Sequence, residues 1–150
     1  PVSDIDIVVG KFLSAWSFLI LGLLGTMLVP ITIIILGELD FGLVFSGYIG
    51  TILLGGAYIS LGLLISSLTS EQIIAFILTF FACLLTYLMG FQPILQFLGN
   101  FIGGIVAFFS LSQHFESFRM GIFDPRDIFF FASFTFLMLF LNIFSIRGKR

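Results

Sequence analysis

Long stretches without charge alternate with short polar breaks along this chain. Phe12 to Gly37 carries no Asp, Glu, Lys or Arg, and the same holds for Phe41 to Ser70, Ile73 to Phe91 and Ile128 to Ile146. About 20 apolar residues in a helix cross a hydrocarbon core of roughly 30 Å. The pattern therefore predicts an all-α, polytopic helical membrane protein with four transmembrane helices, near residues 12–36, 43–67, 73–91 and 128–146. Pro30 predicts a kink or an early end of the first span near Val29, because proline leaves a backbone carbonyl unpaired. "GELDFG", residues 37–42, reads as a tight acidic turn, and "SSLTSEQ", residues 66–72, as a polar one.

Small residues give two of the spans a distinct face. Gly47, Thr51, Gly55, Gly62 and Ser66 fall within a sector of roughly 100° when each residue turns about 100° around the helix. This predicts close packing of the second span on a neighbour, in preference to a small-residue lining of a pathway. In the third span Ala75, Thr79, Cys83, Thr86 and Gly90 follow the same spacing, and the threonine hydroxyls can bond their own backbone.

Between the third and fourth spans the pattern changes. "GFQPILQFLGNFIGG", residues 90–104, is apolar but broken by Pro93, Gly99, Asn100, Gly103 and Gly104, which predicts a shallow or re-entrant segment. Phe108, Leu111, Phe115, Phe118 and Ile122 then recur at helical steps opposite Gln113, His114, Glu116, Ser117 and Arg119. That is the pattern of an amphipathic helix lying on the outer surface, with Glu116 and Arg119 spaced to pair and Gly121 placed to end it. Residues 92–127 form the outer re-entrant and amphipathic region in this reading.

"DPRD" follows, with Asp124 as helix cap, Pro125 at the first helical position and Asp127 in the first turn, where the helix dipole favours an anion. His114 and Glu116 also raise a catalytic or metal-binding reading. Two residues apart on a helix, they point away from each other, and no second histidine or nearby cysteine completes a metal site. The preferred reading is architectural: an outer lid and cap made by His114, Glu116, Arg119, Asp124 and Asp127. Asp124 is then expected to matter more to folding than His114. At the other end Ser3 is placed as a cap with Asp6 three residues later, and Val2, Ile5, Val9 and Phe12 share a helical face. This amphipathic turn leads into the first span and is positioned to receive force from a partner.

Composition supports lipid as the solvent. The chain is 59% hydrophobic and 9% charged, with a mean hydropathy of +1.24, whereas soluble domains carry about 25% charged residues. Its 22 phenylalanines cannot all be hidden in a core of this size. A net charge of -2, with no basic cluster before the last residues, gives no footprint for nucleic acid. Cys83 is the only cysteine, so no internal disulfide forms, and it reads as a packing residue. Pro1 is not an initiator, and the sequence reads as a piece of a longer membrane protein with further spans upstream. Four spans put both ends on one side. Lys11, Arg147, Lys149 and Arg150 there, against Arg119 and Arg126 on the other, make that side cytoplasmic by the positive-inside rule.

"PVSDIDIVVGKF", "GYIGTILLGGAYISLGLLISSLTSEQIIAFILTF" and "HFESFRMGIFDPRD", followed by a Phe-rich span and a basic end, resemble in that order the permease subunits of type-2 ABC transporters, and most closely those associated with gliding motility. The resemblance implies a multi-pass protein of the bacterial inner membrane whose spans correspond to the family's third to sixth. It makes residues 1–11 the tail of a coupling loop, with Ser3, Asp4, Asp6 and Lys11 at the end facing the ATPase. It also implies an ABC ATPase subunit, a second permease copy or related permease, and surrounding lipid as partners. No G-x-x-x-x-G-K-[ST] phosphate loop occurs, so ATP and Mg belong to the separate ATPase chain and this chain is not itself an enzyme. The alternatives are a non-transporting membrane anchor or assembly subunit, and an intramembrane enzyme, which would need paired catalytic groups within the spans.

Overall fold

A computed structural model of the chain describes residues 3–37 and 40–148, and it is helical with no strand among those residues. Helix α1 (Asp4–Thr26) begins as the sequence predicts. The Ser3 hydroxyl accepts a hydrogen bond from the Asp6 amide at 3.2 Å, and the Asp6 carboxylate accepts from the Ser3 amide at 3.2 Å, so two otherwise orphaned amides are satisfied. Val2, the first residue of the proposed apolar face, lies outside the described residues. The helix ends at Thr26, and α2 (Leu28–Leu36) continues beyond Met27. The interruption expected near Val29 thus falls at Met27. Pro30 has no amide to offer the carbonyl four residues back, on Thr26, and its ring crowds that carbonyl, so the disturbance appears one turn earlier.

Glu38 and Leu39 of the predicted acidic turn lie outside the described residues. Asp40 next to them caps α3 (Phe41–Leu68), accepting from the Gly42 amide at 2.9 Å. Helix α3 is the centre of the bundle and packs against α1, against α4 (Gln72–Leu88), against the short α7 (Leu111–Arg119) and against α8 (Pro125–Arg147). Its small residues are therefore spread around the helix, not confined to the single face expected from the sequence. A Cβ on Gly55 would collide with Leu19 of α1, and one on Gly62 would lie 3.2 Å from Thr79 of α4, while Gly47 faces open space. The deepest small positions are Ser46, Gly50, Gly56, Ala57 and Ser60. Gly56 lets Trp16 approach closely enough for its indole to donate to the Ile52 carbonyl at 3.0 Å. On α4 the predicted stripe does face inward: Ala75 is buried, and Thr79, Cys83, Thr86 and Gly90 are half-buried. Thr86 returns its hydroxyl to the Ala82 and Cys83 carbonyls.

Three helical stretches are long and apolar enough to cross a membrane: 4–36, which is α1 with α2, then α3 and α8. Helix α4 is apolar but has 17 residues, about 26 Å at the usual rise. It packs along α3, with Thr79 near Gly62, and its end meets α7 at Tyr87. Val8 and Lys11 of α1, Ser66 and Ser67 of α3, and Asn142 and Ile146 of α8 line one cavity, so the start of α1 and the ends of α3 and α8 share one end of the bundle. At the opposite end α7 meets the first half of α3, the end of α4 and the beginning of α8.

The broken segment after α4 forms two short helices, α5 (Gln92–Phe97) and α6 (Gly99–Phe109), packed mainly on each other. Gly99 makes the turn with φ +77°, and Gly103 lies against the Leu95 carbonyl, where a Cβ would stand 2.6 Å from the oxygen. Phe97 and Phe101 at this hairpin are 92% and 82% exposed.

Helix α7 departs from expectation. The sequence pattern places it flat on a surface with its polar side outward, yet Leu111 and Phe118 are fully buried in the main core with Ala57 and Phe131. Two predicted members of its apolar face, Phe108 and Ile122, are largely exposed instead, because α6 ends at Phe109 and α7 at Arg119. The termination is as read: Gly121 has φ +77°, its amide donates to Phe118, and the Ile122 amide reaches back to Ser117 at 3.0 Å.

Gly50 is the contact that admits α7, since a Cβ there would lie 2.6 Å from Phe118 Cβ. Gly50→Ala is expected to lower stability in lipid nanodiscs by about 1–3 kcal/mol, as overpacking does. Gly47→Ala, which meets nothing within 4 Å, is expected to stay within about 0.5 kcal/mol of the parent. Thermal unfolding of the two variants side by side checks the difference.

Candidate functional site

Polar side chains converge where α7 meets the ends of α4 and α8. Ser110 caps α7, its hydroxyl accepting from the Gln113 amide at 3.4 Å. From the first turns of α7, Ser112 donates to the Tyr87 carbonyl at 2.9 Å and the Gln113 amide nitrogen donates to the Gly90 carbonyl at 2.8 Å. These carbonyls lie at and just beyond the end of α4, and that of Tyr87 also accepts from the Gly90 amide at 3.2 Å. Gly90 is required at this contact, because a Cβ would overlap the Ser110 and Ser112 hydroxyls.

His114 is the centre of the cluster. Its Nδ1 lies 2.6 Å from Asp127 Oδ1, its Nε2 lies 3.0 Å from the Phe108 carbonyl, and its ring stacks on Phe130 at a centroid distance of 3.8 Å. Both ring nitrogens therefore face acceptors. Two protonation patterns satisfy them: an imidazolium beside a carboxylate, or a neutral ring whose Nδ1 accepts from a protonated Asp127. In either case one proton lies between Nδ1 and Oδ1 and a second sits on Nε2. Asp127 is 6% exposed, and its Oδ2 is buried without a hydrogen bond among the described residues. The first turn of α8 offsets part of that cost, since its amides favour negative charge there.

The sequence reading weighs His114 with Glu116 for chemistry and places Asp127 at the helix start, within the same outer lid and cap group but not as a partner of His114. The folded chain joins His114 to Asp127 instead, thirteen positions apart in sequence. The signal was present as a histidine one helix before a first-turn acid, but spacing within a helix does not reveal pairs formed across a turn. Glu116 points elsewhere and pairs with Arg119 at 2.9 Å, as spacing predicts, and both remain largely exposed. Asp124 caps α8 by accepting from the Arg126 amide at 2.9 Å, with Pro125 in the first turn.

Beside this cluster lies a cleft of about 470 Å³ lined by Tyr87, Phe91, Gln92, Gln113, Glu116 and Arg119, among others. No group of three or more His, Cys, Asp or Glu that could hold a metal occurs among the described residues. At the opposite end Ser3 and Asp6 are joined in the α1 cap, while Lys11, one of the four residues placed at the coupling end, lines the smaller cavity between α1, α3 and α8. Comparison with family models, curated proteins and solved structures finds no match to this chain.

The geometry revises the relative weight of His114 and Asp124. Removing His114 leaves a buried carboxylate unpaired, so His114→Ala is expected to cost about 3–5 kcal/mol. Asp124→Ala loses one cap, about 1 kcal/mol. The double variant His114→Leu/Asp127→Leu should lose far less than the sum of its single changes, and Glu116→Gln should lie within about 0.5 kcal/mol of the parent, as exposed pairs do. Unfolding of this set in one lipid system measures the coupling directly.

Proposed function

We propose that this chain is the membrane-spanning permease subunit of an ATP-driven transporter of the type-2 ABC class. ATP and Mg are held by a separate ATPase subunit, and a second permease completes the transport route. The observation that carries this reading is the order of elements. A capped helix start leads into the bundle, two antiparallel helices follow, the chain breaks into the α5–α6 hairpin, α7 returns into the bundle, and a last apolar helix ends at Arg147. That order is the one the sequence resemblance implies, with residues 92–127 as the outer region.

In this reading α4 is the third of four spans despite its length, and both ends of the chain face the cytoplasm of a bacterial cell. Ser3, Asp4, Asp6 and Lys11 stand at the end that meets the ATPase. ATP-bound ATPase domains bind one arrangement of the permease better than the other, and this difference in affinity drives the exchange between inward- and outward-open forms. The His114–Asp127 pair ties α7 to the beginning of α8, so a tilt of α8 moves the outer lid with it. Apolar side chains exposed on α1, α2 and α4, including Phe18, Leu36, Ile73 and Phe76, offer surface to lipid and to the second permease.

Two experiments test this reading. In a Cys83→Ala background, cysteines at Gln113 and Ser70 are expected to react with an impermeant reagent from opposite sides, Gln113 from outside. Labelling of Ser70 alone from outside reverses the orientation. Affinity purification of the full-length protein is expected to retain an ATPase subunit whose hydrolysis in proteoliposomes depends on the permease. A complex without ATPase, with cargo movement unaffected by loss of the protein, supports the anchor reading instead.

A further inference from the structure

We propose that the His114–Asp127 pair is a proton-binding switch, which locks α7 to α8 while it holds two protons and releases α7 when it loses one. The inference stands without the permease reading, which uses the pair only as a mechanical tie.

The closed pair has no satisfactory arrangement with a single proton. The His114 Nδ1 lies 2.6 Å from Asp127 Oδ1, and Nε2 lies 3.0 Å from the Phe108 carbonyl. With one proton, either Nδ1 donates to the carboxylate while the Nε2 lone pair faces the carbonyl oxygen, or Nε2 donates and the Nδ1 lone pair faces the carboxylate. Each sets two acceptors against one another. Each also leaves a net negative charge on a side chain that is 6% exposed and whose Oδ2 is buried without a hydrogen bond among the described residues. With two protons the pair is neutral overall and both ring nitrogens are satisfied.

Neighbouring charges do not stand in for the missing proton. On α7, Glu116 and Arg119 pair with each other at the surface. On α8, Arg126 is exposed and forms no ion pair with Asp127 among the described residues, while Asp124 is engaged as the helix cap. Helices α3 and α6 carry no Asp, Glu, Lys or Arg. The titratable groups of α3 are Tyr48, bonded to Thr26, and Tyr58; those of α4 are Cys83 and Tyr87. The charges of α1 lie in its first turns, at the opposite end of the bundle. The first-turn amides of α8 favour an anion and oppose the switch in part.

The sign of the pH dependence follows from counting protons. When α7 lifts away, both groups meet water, where an imidazole is protonated below about pH 6.5 and an aspartate side chain below about pH 3.9. Between those values the separated groups also hold two protons, and closure is independent of pH. Above about pH 6.5 they hold one, so closure takes up a proton and the closed form weakens about tenfold with each pH unit. Below about pH 3.9 they hold three, and closure weakens as the pH falls.

His114 is the only histidine of the chain, so nuclear magnetic resonance of its ring nitrogens, with the carboxyl carbon of Asp127, counts the protons directly. The test titrates the full chain in lipid nanodiscs from about pH 5 to about pH 9 and follows hydrogen-exchange protection factors of the α7 amides in parallel. Two protons are expected on the pair wherever α7 is protected, and the protection should fall about tenfold per pH unit above about pH 6.5 while that of the middle of α1 does not. The variant His114→Gln/Asp127→Asn keeps donors and acceptors but cannot titrate, and its α7 protection should be independent of pH. Protection of the parent that is flat above about pH 6.5, or a pair holding one proton while α7 stays protected, overturns the proposal even where the double variant does not fold. The parent's slope reproduced in the double variant assigns the titration to another group and overturns it as well.

Discussion

Phe118 seated over Gly50 is the contact on which the lid end of the bundle depends. With no side chain at Gly50, the backbone of α7 comes close enough for the Ser46 hydroxyl of α3 to donate to the Phe118 carbonyl at 2.9 Å. Leu111, one face-repeat earlier, then joins Ala57 and Phe131 in the core. Once α7 is held there, its flanks have no freedom to remain in solvent. Ser112 and Gln113 lie under the end of α4, and His114 lies under the beginning of α8. A nine-residue helix thereby joins three long ones.

The polar contacts around α7 follow from a single requirement. Helix ends buried in apolar surroundings must find partners for their unpaired backbone groups. The carbonyls ending α4 find Ser112 and Gln113, and the Phe108 carbonyl near the end of α6 finds His114. Asp127 is different, because its second carboxylate oxygen remains without a bond among the described residues. A histidine is well suited beside it: one ring nitrogen meets the carboxyl group and the other the carbonyl, while its flat face packs on Phe130.

The two ends of the bundle are built on opposite principles. At the α7 end Ser110, Ser112, Gln113 and His114 each hydrogen-bond another part of the chain, which makes that end a structural joint. At the other end Lys11, Ser66 and Asn142 surround a cavity and engage nothing among the described residues. The same end carries the capped start of α1.

The helical membrane character of the chain was legible in the sequence, because charge-free runs of sufficient length leave only helix as a structure that satisfies its own backbone. The caps by Ser3 and Asp124, and the stop at Gly121, were also legible, since capping depends on residues within one helical turn, whereas the cap by Asp40 was read only as an acidic turn. Pro30 marked a break but not its place, as the ring acts on a carbonyl one turn away. What the sequence could not supply was which faces meet. An amphipathic pattern shows that α7 has an apolar side, but not whether that side rests on lipid or on protein. The glycines of α3 permit close approach in several directions, and only the positions of α1, α4 and α7 decide which of them are used. The pairing of His114 with Asp127, and the cavity around Asn142, are products of helices distant in sequence brought side by side, and tertiary structure alone decides them.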